Sequence, residues 1–177
     1  MQIRKAQAQD AQRIARLHAL SWRTAYRGML SDAYLDGNIA SDREAIWAER
    51  FAKPTANQYV IVAEANDELA GFACAFGAHD HQWGTLLENL HVQPALKRSG
   101  IGSLLVQDVA RWSMVCHPNA CMHLWVLQPN VTAQAFYLKN GARAVERGVW
   151  SAPDGSNIPQ LRYAWSALHS LATEAHA

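Results

Sequence analysis

The sequence predicts a mixed α/β fold, a mostly antiparallel sheet flanked by helices. Three observations predict it. Apolar residues recur at helical spacing through the first third of the chain. A β-rich hairpin pattern begins at Tyr59. Strands and helices then alternate as far as Trp165. With 177 residues, half of them apolar, the chain is long enough for one domain with a full core, and a single domain over 1–177 is expected.

In order, Ile3 and Lys5 open a short extended segment, and Asp10 stands where a helix cap belongs. Ile14, Leu17 and Leu20 follow it at helical spacing, and the helix continues to or ends at Gly28. Ser31-Asp32 caps a short helix that stops near Gly37, and Ser41-Asp42 starts another, with Ile46, Trp47, Arg50 and Phe51 ahead of Pro54. Tyr59 to Ala63 and Leu69 to Phe76 pair as a hairpin about the tight turn Asn66-Asp67-Glu68. Leu86 to Val92 is a third strand, ended by Pro94 because proline cannot extend a central ladder. Ile101, Leu104, Leu105, Val109 and Trp112 trace one face of a helix. His123 to Leu127 is a strand, and Val131 to Lys139 a helix closed by Asn140-Gly141. Two short strands flank the turn Pro153-Asp154-Gly155. The last ten residues read as either disordered or a helical appendage.

The 16 Lys and Arg nearly cancel the 15 Asp and Glu. A net charge of +1 supplies no general pull toward nucleic acid or membrane, so neither is expected as a partner, and an anionic ligand needs a local device. No signal-peptide core follows Met1, and no stretch approaches the ~20 apolar residues that span a bilayer. Cys74, Cys116 and Cys121 are unpatterned, as free thiols in a reducing compartment would be, and a cytoplasmic location is expected.

The local device lies between Leu90 and Leu105. A strand ends at Val92, Lys97 and Arg98 follow, and Gly100-Ile101-Gly102 opens an amphipathic helix. Glycines let the backbone approach a ligand and turn N–H groups inward, and the helix N-terminus adds partial positive charge. On these residues alone the loop is either an anion cradle or a tight turn into a helix. It lacks the Gly-Lys-Ser/Thr ending of a P-loop and the three-glycine dinucleotide fingerprint. Asn130 and Tyr137 lie seven residues apart, which puts them on one helix face about 10 Å from each other.

Val92-Gln93-Pro94, a short spacer, the basic pair and Gly-x-Gly resemble motif A of the GNAT superfamily of N-acetyltransferases. Asn130, with Ala133, Phe136 and Tyr137 behind it, resembles the same family's second motif. Lys97 departs from the Gln or Arg usual in the first motif position. The resemblance covers nearly the whole chain and implies a twisted sheet with splayed middle strands. It implies acetyl-CoA as co-substrate and direct transfer of the acetyl group to an amine of a small molecule or peptide.

By the same resemblance, Lys97, Arg98, Ser99, Gly100, Ile101 and Gly102 hold a pyrophosphate, with a hydroxyl from Ser103. Leu90, His91 and Val92 offer strand backbone to the acyl-pantetheine, and the amide of Val92, or one beside it, polarises the thioester. Asn130 meets the pantetheine region, and Tyr137 is the general acid at the sulfur. Glu88, which shares strand parity with Leu90 and Val92, is the first candidate for the base, with His91 or a water chain as alternatives. Trp22, Arg23 and Tyr26 either shape the acceptor pocket, Arg23 holding a substrate carboxylate, or pack a helix onto the sheet. Trp83, Trp125 and Trp150 either border that pocket or fill the core.

His79-Asp80-His81 reads as a solvated loop, and neither it nor Cys116-His117 with Cys121-x-His123 offers a closed tetrahedral set, so no metal is expected. The resemblance leaves both a monomer and a homodimer open. Two other readings stay open as well: a non-catalytic acyl-CoA sensor or interaction module on the same fold, and a generic α/β binding domain.

Overall fold

The computed structural model describes residues 1–117 and 121–173. Its strands are β1 (Gln2–Lys5), β2 (Gln58–Ala65), β3 (Glu68–Asp80), β4 (Gly84–Val92), β5 (Met122–Leu127), β6 (Arg143–Ser151) and β7 (Asn157–Trp165). Its helices are α1 (Ala11–Ala25), α2 (Asp32–Asp36), α3 (Ile39–Ala52), α4 (Ile101–Cys116), α5 (Val131–Lys139) and α6 (Leu168–Thr173). The strands form one sheet in the order β1-β2-β3-β4-β5-β7-β6. Every pairing is antiparallel except β4 with β5. This is the mixed, mostly antiparallel α/β fold that the sequence predicts.

Strand alternation distributes the core. In β2, Val60 and Val62 face α1 and α3, packing with Ile14, Leu17, Trp47 and Phe72. Ile61 and Ala63 face α4, with Leu105, Val106 and Val109. β3 is buried on both faces from Leu69 to Ala75, which explains its unbroken run of small and apolar residues. A third cluster joins the end of α1 to α2, the start of α3 and the β6–β7 hairpin, through Trp22, Leu35, Ile39 and Ile158.

Several local expectations change. Asp10 makes no side-chain cap to α1. It is 1% exposed and accepts from the two terminal guanidinium nitrogens of Arg4, at 2.7 and 2.9 Å, and from the Gln7 amide at 2.8 Å. Leu20 is exposed, because the buried stripe of α1 runs through Ile14, Leu17, His18, Ser21 and Trp22. α3 starts at Ile39, ahead of Ser41-Asp42. Asn66 and Asp67, at φ 52° and 63°, are the two left-handed residues of the hairpin turn, and Glu68 already belongs to β3.

β3 also runs on to Asp80, so the His79-Asp80-His81 stretch is not simply a loop. The Asp80 carboxylate accepts the Gln82 and Trp83 amides and pairs with Arg162. β6 and β7 are nine residues each, longer than expected. α6 gives the first part of the tail a helix, and the last four residues lie outside the described residues.

The Asp10 interactions tie the β1 edge to the start of α1. Replacing Asp10 with Ala leaves Arg4 short of a partner and is expected to cost about 3 kcal/mol in urea denaturation, whereas a loss below about 1 kcal/mol would mean that the pair behaves as an exposed one. The Arg4 hydrogen bonds hold the Asp10 carboxyl below its ordinary value. Its contribution is therefore present above about pH 4 and is lost as pH falls through the folded-state value, so acidification should cost the variant less than the native chain.

Candidate functional site

The site begins with one extra residue in β4. Cys74 pairs with Asn89 and Ala75 with Leu87, so Glu88 bulges out with no opposite number. The bulge breaks the parity expected of Glu88. Leu90 and Val92 pack toward α4, whereas Glu88 turns to the other face and forms an ion pair with Arg50 of α3. Arg50 also donates to the Asn89 amide oxygen at 2.8 Å.

Beyond the bulge, β4 loses its other neighbour. It pairs with β5 only at Thr85 with Met122 and Leu86 with His123, after which the two strands part. The Gln93 amide donates to the Ala70 carbonyl of β3 at 2.8 Å. Backbone direction alternates along a strand, so the peptide groups of His91 also face β3, while those of Leu90 and Val92 face the gap. That corrects the expectation for His91, whose backbone is committed to the sheet. Its ring instead lies 4.5 Å from the ring of His18 and 5.2 Å from that of Phe72. Burial is the main cause pushing His91 down to about 3, with Lys97 and Arg43 adding to it.

At the end of β4, a 3-10 turn (Pro94–Leu96) leads into the loop before α4. Arg98 has φ 69° and Gly100 φ 87°, two left-handed residues that turn the chain into the helix. Among the described residues, no backbone N–H from Arg98 to Ser103 donates to a carbonyl; the first such bond is Leu104 to Gly100, at 3.1 Å. Lys97 and Arg98 are exposed, and neither makes an ion pair among the described residues. Ser99 departs from expectation, because its hydroxyl donates to the Leu96 carbonyl at 2.6 Å and it does not line the cleft. A Cβ at Gly102 would stand 3.1 Å from the Phe136 ring. That glycine lets α5 pack against the first turn of α4.

Asn130 caps α5, its Oδ1 accepting the Ala133 amide at 3.1 Å. Ala133, Phe136 and Tyr137 follow on the cleft wall. Tyr137 is buried against Phe136 and Trp165. Its hydroxyl makes no hydrogen bond among the described residues, and burial holds its pKa above the ordinary value.

The resulting cleft, about 1730 Å³, runs from Lys97 and Arg98 past Leu90, Val92, Asn130 and Tyr137 to Trp22, Tyr26 and Trp150. That is larger than a pocket for one small ligand, about 300–1,000 Å³. Trp22 and Tyr26 both line it and both pack, their rings 5.1 Å apart and Trp150 5.8 Å from Trp22. Trp125 also borders it, and Trp83 does not. Arg23 is a correction. Its Nε donates to the Leu35 carbonyl at 2.9 Å, and it takes no part in the cleft wall.

Wall residues that were not anticipated include His18, Ser21, Arg43 and Arg50. Arg43 carried a readable signal, since Ile39, Arg43 and Trp47 form the buried stripe of α3 at four-residue spacing. An arginine inside an apolar stripe is unusual.

The sequence profile of the Acetyltransferase (GNAT) family matches residues 14–142. The chain belongs to the GNAT family. It is an N-acetyltransferase. A probable N-acetyltransferase of Mycobacterium tuberculosis is 27% identical over 92% of each chain. Among solved structures, the fold matches the PaiA N-acetyltransferase of Thermoplasma acidophilum in complex with coenzyme A. Its TM-score is 0.73 at 20% identity, over 93% of this chain and 98% of that one. It also matches YncA of Salmonella typhimurium with acetyl-CoA, at a TM-score of 0.66 and 17% identity, over all of this chain and 96% of that one.

The residues present fit such a ligand: among the described residues, the Lys97 and Arg98 side chains and the amides from Arg98 to Ser103 have no partner and suit a diphosphate, and the strand backbone facing the gap suits an extended arm. Arg98 separates two roles of the loop. Arg98→Gly relieves a left-handed residue, so stability should hold or rise by up to about 1 kcal/mol while coenzyme A affinity falls about tenfold. Calorimetric titration and denaturation of one variant read both. A parallel loss of stability would show that the side chain supports the loop rather than the ligand.

Proposed function

We propose that this cleft transfers the acetyl group of acetyl-CoA directly to an amine of a small molecule or peptide. One observation carries the reading: the strand backbone facing the gap at Leu90 and Val92 lies between the free amides of the α4 N-terminus and the unbonded hydroxyl of Tyr137.

Acetyl-CoA supplies the activated acyl group as a thioester. The amides from Arg98 to Ser103, with Lys97 and Arg98, hold the diphosphate. Leu90 and Val92 pair with the pantetheine arm as a further strand would, and Asn130 flanks it. The Val92 N–H donates to the thioester oxygen and stabilises the negative charge that develops there when nitrogen attacks.

An attacking alkylammonium must first lose a proton. Glu88, fixed at the bulge by Arg50, is the proposed acceptor, directly or through water. Burial weighs against His91, because an imidazole so strongly held neutral is a poor acceptor. As the C–S bond breaks, Tyr137 donates to the departing sulfur. At ordinary values a phenol of pKa ~10 gives its proton up to a thiolate of pKa ~8.5 only while held against it. Burial keeps the Tyr137 phenol protonated, and because it also weakens the acid, donation depends on close approach to the sulfur. The second proton shed by nitrogen restores the phenol, and the first leaves through Glu88 to solvent.

The test is incubation with acetyl-CoA and a broad panel of amines, following both thiol release and N-acetyl products. Tyr137→Phe is expected to lower kcat about 100-fold and leave coenzyme A affinity within about twofold. An unchanged kcat at every pH would remove Tyr137 from its role. Glu88→Gln should lose most kcat/KM below the pKa of the amine, where a proton has to be taken. A loss equal at all pH values would argue for positioning rather than proton transfer.

A further inference from the structure

The far end of the cleft holds a buried positive charge. Arg43 is 6% exposed, and its guanidinium lies over the Trp22 ring, 4.2 Å from the centroid. Among the described residues no carboxylate comes within ion-pair distance of it, and its Nε has no hydrogen-bond partner. The Tyr34 hydroxyl and the Asp42 carboxylate act on it and raise its pKa, whereas burial, the largest influence, lowers it. A buried unpaired charge is costly, and proteins rarely keep one without a use.

Two further donors point the same way. The Ser21 hydroxyl is buried and unbonded. His18 accepts the Trp47 indole N–H on Nδ1 at 3.0 Å. Indole can only donate, so neutral His18 carries its own proton on Nε2, and that N–H is buried with no acceptor. His18 and Arg43 both pack on the Trp22 ring, the His18 ring at 5.3 Å, Ser21 precedes Trp22 in α1, and all three line the cleft. The three groups thus comprise one cation, one obligate donor in the His18 Nε2–H, and one hydroxyl that is able to donate.

We propose that this end of the cleft binds the carboxylate of the acceptor, so that the substrate is an amine carrying a carboxylate, held by Arg43 with the Ser21 hydroxyl and the His18 Nε2–H. The acetyl-transfer reading supplies the reason for an amine at this site. The carboxylate subsite stands on the three unpaired groups alone. A guanidinium fork matches a carboxylate through two parallel hydrogen bonds. One cation balances a monoanion, whereas a dianionic phosphate would leave negative charge buried, since Arg50 is already committed to Glu88.

The experiment compares amino acids with their carboxamides and decarboxylated amines, in turnover with acetyl-CoA. In parallel, the N-acetylated acids and carboxamides are titrated into coenzyme A-saturated protein and followed by thermal shift. The native chain is expected to favour acids by about thirtyfold in kcat/KM. Arg43→Gln should shrink the preference to about threefold with coenzyme A affinity unchanged, and Ser21→Ala should reduce it by a smaller factor. Arg43→Lys keeps the charge without the fork and should fall between the two, which serves if the Gln variant does not fold. Equal or better use of carboxamides, a preference that survives Arg43→Gln, or no preferential binding of acids in either assay would overturn the proposal. Acids that bind preferentially but are never acetylated would uphold the subsite and count against the acetyl-transfer reading.

Discussion

The bulge at Glu88 is the constraint on which the rest of this site depends. A β-bulge adds one residue to one strand, increases the local twist and bends that strand away from its neighbour. Here the neighbour is β5, the parallel partner, which β4 meets at only two residue pairs. The cost is a stretch of central-sheet backbone left without its ladder. The consequence is a slot in the middle of the molecule whose walls are peptide groups rather than side chains. Such a slot suits an extended ligand arm with amide groups of its own. The same bulge reverses the direction of Glu88 and gives it to Arg50, so strand geometry also decides which carboxylate faces the acceptor side.

The helices on either side of the slot are coupled to each other. α4 begins with unsatisfied amides, and α5 packs against its first turn because Gly102 leaves room for Phe136. Phe136 precedes Tyr137, so the residue that packs the two helices also sets the position of the proposed acid. Asn130 fixes the other end of α5 by capping it. The loop glycines thus have two distinct roles. Gly100 supplies a left-handed turn, and Gly102 supplies a close helix contact.

Much of the fold was legible in the sequence, because periodicity and turn residues act locally. The hairpin at Asn66-Asp67, the loop at Gly100 and the helix after Asn130 each rest on residues next to one another. Features set by distant partners were not legible. Asp10 has the composition of a helix cap, but Arg4 and Gln7 claim its carboxylate. Arg23 sits in an aromatic-basic cluster, but the Leu35 carbonyl claims its guanidinium. The bulge leaves no residue signature in β4, so strand parity misplaced Glu88. The arginine within the apolar stripe of α3 was readable by pattern, though its lack of an ion pair among the described residues was not.

The central claim is that the Val92 and Leu90 amides are held open for a ligand. Amide hydrogen exchange measured by NMR, with and without a non-reactive ketone analogue of acetyl-CoA, tests it residue by residue. These two amides are expected to exchange readily in the free protein and to slow by about tenfold or more when the analogue binds, while the His91 amide, already facing β3, changes little. Saturation of the protein with no added protection at Val92 and Leu90 would contradict it.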